Sequence, residues 1–381
     1  MPEPVSSDSL SAEERLHYSR HLSLPGFGLE KQLALKNAKV LLVGAGGLGC
    51  PIGLYLAAAG VGTIGVVDLD CVERSNLQRQ IAHTVDDIGQ PKVDSLIAAM
   101  RAINPLINYQ PHSYRLNADN IADTIAGYHL VLDGSDNFAT RFLLADACYL
   151  HQVPLLQGAV YEYEAQLCLF TPNNGPCYRC IFREPPSRDA LAPCAEVGIL
   201  GVVPGTAGLI MATEAIKFLT GLGSSIQGKL LIYNATIQSM RHWTIEPDQD
   251  CPLCGQNPTI TKLRETVVQC PTTVERTAEA SEVSLIQAHQ WIRDGVRLLD
   301  VRESFEYANG HIPNAMHLPL GHVQAQAEQI LVNKTEPILA YCQKGQRSLE
   351  AARILTNLGY ERVFSLAGGL SAWDGPVVVP V

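Results

Sequence analysis

One segment constrains this chain more than any other: Gly44-Ala45-Gly46-Gly47-Leu48-Gly49, set between a strand pattern and a helix pattern. Residues 39–43 read Lys-Val-Leu-Leu-Val, a short β-prone run ending at the first glycine. Residues 48–59 read as a helix stopped by Gly60 and Gly62, and 63–67 as a second buried strand ending at Asp68. Strand, glycine turn, helix and strand make one βαβ unit, which commits the chain to a doubly wound α/β fold.

Further units follow. Helices are predicted over 90–103 and 137–151, and strands over 130–133, 154–157 and 165–170. Ser11-Ala12-Glu13-Glu14 is a capping-box pattern that should open a helix reaching about His21. The most apolar stretch, 197–212, is punctuated by Gly198, Gly201, Pro204, Gly205 and Gly208. It suits a buried strand-turn-helix element better than a membrane span. From 258 the chain turns polar, Thr-rich and aperiodic, and a second α/β pattern runs from Val283 to Trp373. The expected organisation of the 381 residues is a Rossmann-like domain over 1–257, a linker over 258–280 and a small α/β domain over 281–381.

A hydrophobic fraction of 46% supports a sizeable core, and a formal net charge of −10 argues against a nucleic-acid partner. The polar N-terminus, with Pro2 and Pro4, lacks the apolar core of a signal peptide, so a cytoplasmic protein without membrane association is expected. Eleven cysteines in a reducing compartment point to metal ligands and reactive thiols before disulfides.

The glycine turn lets phosphate oxygens approach backbone N–H groups at a helix start, and Asp68 is spaced to accept a ribose hydroxyl. Taken alone this suggests a nucleotide site, with a nicotinamide dehydrogenase as the ordinary case and a purely structural turn as the bland one. The next block shifts the reading. Ser75-Asn76-Leu77-Gln78-Arg79-Gln80, Lys92 and Asp136-Asn137 offer cations and a carboxylate that hydride transfer does not need and a triphosphate with Mg²⁺ does. Together with Arg20, Gly44 to Gly49 and Asp133-Gly134-Ser135-Asp136-Asn137, these segments resemble the ubiquitin-activating-enzyme superfamily over roughly 11–256. Within it they look like the molybdopterin-synthase and thiamine-synthesis adenylyltransferases. The resemblance implies that Gly44, Gly46, Gly47 and Gly49 approach ATP, that Asp68 binds the ribose, and that Asn76, Arg79 and Lys92 hold phosphates, with Ser75, Leu77, Gln78 and Asn137 beside them. It implies Mg²⁺ on Asp136, and a homodimer in which Arg20 reaches into the partner's site.

Cys177-Tyr178-Arg179-Cys180 and Cys251-Pro252-Leu253-Cys254 are two Cys-x-x-Cys pairs next to turn residues, a ligand set suited to one tetrahedral Zn²⁺. A redox dithiol or inert cysteines are the alternatives. Cys194 follows a polar, Pro-containing stretch where a thiol would be accessible, and the family places there a cysteine proposed to attack the activated carrier. Cys50, Cys71, Cys148 and Cys168 are expected to be small buried residues, and Cys270 falls in the linker.

In the second domain, the strand 338–341 runs directly into Cys342-Gln343-Lys344-Gly345-Gln346-Arg347-Ser348 and a helix over 349–358. A cysteine between a strand end and a helix start has N–H groups and the helix dipole to stabilise its thiolate, with Lys344 and Arg347 adding positive potential. These residues resemble the single-domain rhodanese sulfurtransferases over roughly 283–373, which implies that Cys342 carries a persulfide. The four residues between Cys342 and Arg347 make a loop too tight for a phosphoryl group. His311, between Gly310 and Ile312-Pro313, reads as structural.

The two resemblances on one chain imply an enzyme that adenylates the C-terminal glycine of a ubiquitin-like sulfur-carrier protein ending in Gly-Gly and converts it to a thiocarboxylate. Cys342 would be loaded by a cysteine desulfurase or another persulfide donor, and its terminal sulfur would attack the acyl-adenylate. Cys194 would release the product, leaving a Cys194–Cys342 disulfide. The rival readings are an oxidoreductase with an appendage, and an activating enzyme for protein conjugation whose rhodanese part is a docking module.

Overall fold

The Ser11 capping box forms as its sequence predicts: the hydroxyl accepts the Glu14 N–H at 3.1 Å and the Glu14 carboxylate accepts the Ser11 N–H at 2.6 Å. The structure, a computed structural model, describes residues 9–172, 175–185, 198–264 and 281–379. The chain divides into two units, residues 1–270 and 271–381.

In the first unit the capping box opens α1 (Ala12–His17), which breaks before α2 (Ser19–Leu22) where a single helix to His21 was expected. The break turns Tyr18 into the core, and its hydroxyl accepts from Asn104 Nδ2 at 2.8 Å. Next come α3 (Gly28–Asn37), β1 (Lys39–Val43), α4 (Gly49–Ala59), β2 (Thr63–Val67), α5 (Lys92–Ile103), β3 (Asn108–His112) and α6 (Ile121–Ile125). After them follow β4 (Leu130–Asp133), α7 (Phe138–Leu150), β5 (Leu155–Tyr161), β6 (Glu164–Phe170), α8 (Val202–Thr220), β7 (Lys229–Asn234) and β8 (Ser239–Thr244).

The sheet order is β3-β2-β1-β4-β5-β6-β7-β8, parallel through β5 and antiparallel beyond it. Because strand side chains alternate, Val40 and Leu42 of β1 join a core with α4, α5 and α8, while Leu41 and Val43 join a second core with α6 and α7. Burial on both faces is why this strand reads as an unbroken apolar run. The sequence order reverses between β1 and β4, and such a switch point leaves a crevice beyond the strands' carboxyl ends.

The apolar stretch over 197–212 departs from expectation. Among its described residues there is no strand; it supplies most of the 19-residue α8. Gly208 serves helix packing: a Cβ there would lie 2.5 Å from the Pro51 ring on α4. By length and composition α8 could cross a membrane, but Val203, Ala207, Met211 and Ala215 are buried in the first core.

The second unit holds β9 (Ser281–Val283), α9 (Leu285–Arg293), β10 (Arg297–Asp300), α10 (Ser304–Ala308), β11 (Met316–His317), α11 (Leu320–Ile330), β12 (Ile338–Tyr341), α12 (Gln346–Asn357), β13 (Val363–Leu366) and α13 (Gly369–Ala372). Its sheet, β11-β10-β12-β13-β9, is wholly parallel. Ile338 and Ala340 of β12 face one core with α11 and α12, and Leu339 and Tyr341 face the other.

Candidate active sites

At the switch point of the first unit lies a cavity of about 480 Å³, large enough for a nucleotide. The glycine turn, Asp68 after β2, Lys92 at the start of α5 and Asp136-Asn137 before α7 all line it. Arg79, Gln80, Arg115, Arg141, Ile199 and Pro204 complete much of the wall. Gly44 has φ +92°, and a Cβ there would sit 2.8 Å from the Gly134 carbonyl oxygen, so only glycine suits the crossing of these two strand ends. A Cβ at Gly49 would sit 1.9 Å from the Gly44 carbonyl oxygen. Gly49 therefore closes the helix onto the strand, and it is not on the cavity wall.

The polar groups around this cavity are held in place. Asp68 accepts the N–H groups of Ala45 and Asp70, each at 2.8 Å, and buried Lys92 donates to Asp70 at 2.8 Å. Arg79 donates to the Ser75 carbonyl at 3.1 Å. The Asn137 side chain caps α7 by accepting the Thr140 N–H at 2.9 Å, and exposed Asp136 stands beside it. His83 is buried between the glycine turn and α5, with Nε2 2.9 Å from the Ala45 carbonyl and Nδ1 2.8 Å from the Ser95 hydroxyl. Three buried polar atoms of wall residues, Gln80 Oε1, Ser135 Oγ and Arg141 Nε, have no partner among the described residues. Buried polar atoms normally find partners, so orphans at a cavity wall fit a polar ligand.

Of the expected residues, Gly44, Gly46, Gly47, Asp68, Arg79, Lys92, Asp136 and Asn137 meet at this cavity. Ser75, Asn76, Leu77 and Gln78 do not line it. Buried Asn76 instead accepts the Glu73 N–H at 3.0 Å and shapes the turn that delivers Arg79. Arg20 is exposed on α2 and is not on this wall. Gln80, Arg115, Arg141 and His83 were missed as site residues. Gln80 ended a segment already singled out, but only folding brings Arg141, Arg115 and His83 to the turn.

A second hollow, a groove of about 400 Å³ on one face of β5 and β6, shares Arg141 and Val160 with the cavity. Phe138, Tyr178, Phe182 and Leu230 give this groove aromatic and apolar walls.

The sulfurs of Cys177, Cys180, Cys251 and Cys254 all lie within 4.8 Å of one another, with Cys177–Cys251 at 3.5 Å, Cys180–Cys254 at 3.3 Å and Cys177–Cys180 at 3.9 Å. A Zn²⁺ with Zn–S bonds of about 2.3 Å needs tetrahedral edges of about 3.8 Å, so the donor set and spacing fit that ion. Their shared hydrogen bond pushes the Cys177 thiol upward and holds Cys180 down at about 5. A bidentate pair, Arg179 to buried Asp146 at 2.8 and 2.7 Å, anchors the cluster to α7. Cys194 lies outside the described residues, as do Cys270 and residues 265–280. Cys50, Cys148 and Cys168 are buried as expected, but Cys71 is exposed, because its backbone bridges Pro91 at the surface.

In the second unit Cys342 directly follows β12, and its sulfur accepts the Gly345 N–H at 3.1 Å, with the Ser348 hydroxyl at 3.7 Å. Gly345 caps α12 with φ +95°, which wraps the loop around the sulfur. Two backbone bonds clamp the loop from behind: Leu370 N–H to the Cys342 carbonyl at 2.7 Å, and Ser371 N–H to the Gln343 carbonyl at 2.9 Å. The expected positive potential from Arg347 is largely spent elsewhere, since its guanidinium binds Glu306 at 2.6 and 2.7 Å. At the sulfur itself the donors are the Gly345 N–H at the helix start and the Ser348 hydroxyl. His311 stacks on Tyr307 at 3.7 Å between ring centroids and bonds its carbonyl, a structural role.

The chain matches the ThiF family over residues 18–253 and the rhodanese-like domain over 284–375. It is 40% identical over 380 residues to the probable adenylyltransferase/sulfurtransferase MoeZ of Mycobacterium tuberculosis, covering 97% of this chain and 95% of that protein. It is 39% identical over 386 residues to the adenylyltransferase and sulfurtransferase MOCS3 of Drosophila sechellia, covering 97% and 84%. Among solved structures, E. coli MccB with ATP shares the fold of the first unit at a TM-score of 0.56 and 22% identity, covering 62% of this chain and 74% of that one. MccB with MccA-N7isoASN gives 0.57 and 21%, covering 66% and 76%.

Proposed function

This chain belongs to the ThiF family, among the adenylyltransferases that carry a rhodanese-like sulfurtransferase domain, and from that membership we propose how its two sites divide the work. The enzyme adenylates a sulfur-carrier protein and then delivers sulfur to it. The observation that carries this reading is that the cavity and the β5–β6 groove are neighbours sharing Arg141 and Val160 as walls. A flexible C-terminal tail lying along the groove would bring its terminal carboxylate to a nucleotide in the cavity.

In the cavity the carboxylate of the carrier's terminal glycine attacks the α-phosphorus of ATP, the bond to pyrophosphate breaks, and an acyl-adenylate forms. Arg79 and Lys92 balance the developing phosphate charge, Asp68 orients the ribose, and Asp136 is the carboxylate that would hold Mg²⁺. In the second unit Cys342 takes a sulfane sulfur from a protein persulfide, such as that of a cysteine desulfurase, and becomes a persulfide. Its terminal sulfur attacks the acyl carbon and AMP leaves, giving an acyl disulfide. The Cys194 thiolate then attacks the Cys342 sulfur, releasing the carrier thiocarboxylate and leaving a Cys194–Cys342 disulfide for a cellular thiol to reduce. The buried sulfur cradle at Cys342 favours this reading over one in which the rhodanese part only docks.

The first unit would work as a homodimer, for which Tyr55 of α4 and Val202 and Leu209 of α8 offer exposed apolar contacts and Arg20 an exposed cation. The test is intact-mass spectrometry of carriers ending in Gly-Gly, incubated with the enzyme, ATP, Mg²⁺ and a persulfide source. Exchange of one oxygen for sulfur is expected. ATP-dependent pyrophosphate release without that exchange would remove the sulfur-transfer half, and no ATP-dependent change would remove the adenylation half.

A further inference from the structure

The groups around the glycine turn form a closed circuit. Ala45 stands at its centre, its N–H given to Asp68 Oδ2 at 2.8 Å and its carbonyl accepting from His83 Nε2 at 2.9 Å. A carbonyl only accepts, so Nε2 carries the proton, and in the neutral ring Nδ1 accepts from the Ser95 hydroxyl at 2.8 Å. Burial favours that neutral ring and lowers the imidazole pKa; the Lys92 charge acts the same way, against the Ala45 hydrogen bond and Asp87 and Asp68. Ser95 lies one turn after Lys92 on α5, Lys92 Nζ donates to Asp70 Oδ2, and the Asp70 N–H donates to Asp68 Oδ1, each at 2.8 Å. The circuit thus joins the glycine turn, the carboxylate after β2 and the lysine of α5. His83 and Ser95, buried outside the cavity wall, close it.

We propose that His83 is a positioning residue for the nucleotide: it holds the Ala45–Gly46 peptide by its carbonyl while Asp68 holds the adjoining Gly44–Ala45 peptide by the Ala45 N–H, and together they fix the shape of the turn and its register with Lys92. Without His83 the Ala45 carbonyl keeps the weaker Cys50 Sγ contact at 3.6 Å, so the Ala45–Gly46 peptide can rotate and shift the turn that walls the cavity. His83 touches no reacting atom, so its effect belongs to ATP affinity and not to turnover.

The inference rests on reading the cavity as a nucleotide site. It is tested by carrier-dependent ATP–pyrophosphate exchange in the full chain, comparing the parent with His83→Leu and His83→Gln. Glutamine can place an amide donor where imidazole Nε2 stands, and leucine cannot. His83→Leu should raise KM for ATP about tenfold or more while kcat and the carrier KM move less than about twofold, and His83→Gln should recover most of the loss. Equal KM increases in both variants would leave His83 a packing residue, and an unchanged KM in His83→Leu would also overturn its role. A parent without ATP-dependent exchange would instead remove the nucleotide reading itself. If His83→Leu does not fold, Ser95→Ala deletes only the hydroxyl that orients the ring. It should raise KM for ATP about two- to fourfold, and no rise there overturns the circuit.

Discussion

The two sites are built by opposite strategies. The cavity of the first unit is assembled from strand ends and helix starts far apart in sequence, from Val43 to Pro204, and among the described residues four cationic side chains line it. The sulfur site of the second unit is a single run, Cys342 to Ser348, wrapped on a helix start, with its arginine tied to Glu306. The difference matches what each must bind. A polyphosphate brings negative charge that only several side chains can surround, whereas one sulfur atom needs only a ring of peptide N–H groups. The first strategy makes a site sensitive to the packing of the whole sheet; the second makes one that stands or falls with a single loop.

The sharpest way to break the contrast is to remove the loop's sulfur. Cys342→Ser should abolish thiocarboxylate formation while ATP–pyrophosphate exchange continues, measured on the same preparation. A matching loss of exchange would mean that the sites are not separable. Arg79→Ala should act the other way. Exchange should fall about 10²–10³-fold, as for loss of one charge-stabilising donor, while persulfide loading of Cys342 proceeds at the parent rate. Zinc chelation or Cys180→Ser should lower the thermal midpoint of the first unit by a stability loss on the order of 2–5 kcal/mol, the range for losing a native cross-link. Hydrogen exchange over 281–379 should not change.

The smallest effect concerns acid. Burial alone would raise the Glu306 carboxyl, but the Arg347 guanidinium and the Glu303 N–H outweigh it, and its pKa lies below the ordinary value. A lowered folded-state carboxyl contributes stability above the unfolded value, about 4.3, that is lost as pH falls through the folded one. Hydrogen-exchange protection of the second unit should therefore weaken below about pH 4 in the parent and depend less on pH in Glu306→Gln. Equal pH dependence in the two would show that the pair does little there.

How much could be read in advance follows the same division. The first strands, 39–43, 63–67 and 130–133, have their predicted bounds, because burial on both faces leaves an unbroken apolar run between clear turn residues. The cysteine of the sulfur site was legible with its cradle because both lie in one segment. In the first unit the sequence exposed the phosphate-binding candidates but not their supports. Arg141 faces the cavity from inside α7, and His83, on the segment between β2 and α5, meets Ala45 after β1 only in the folded chain, so no local spacing signals either contact. Ser75 to Gln78, which the resemblance placed at or beside the phosphates, do not line the cavity; of that segment Arg79 and Gln80 reach the wall. Of the glycines over 198–208, Gly201 stands at the turn before α8, while Gly208 lets α8 lie close against α4.

The four-cysteine cluster also imposes an order of events on the growing chain. Synthesis proceeds from the N-terminus, and domains fold as they emerge. β1 through β6 and the whole glycine turn are made before residue 171, yet Cys180 cannot meet Cys254 until the chain has grown 74 residues further. The nascent unit therefore passes through a stage in which its phosphate-facing half can assemble while β7 and β8 have not yet been stitched to it. A metal held by the four thiols would be the last fastening of a part already shaped, and a cell short of such a metal would accumulate chains arrested at this late stage.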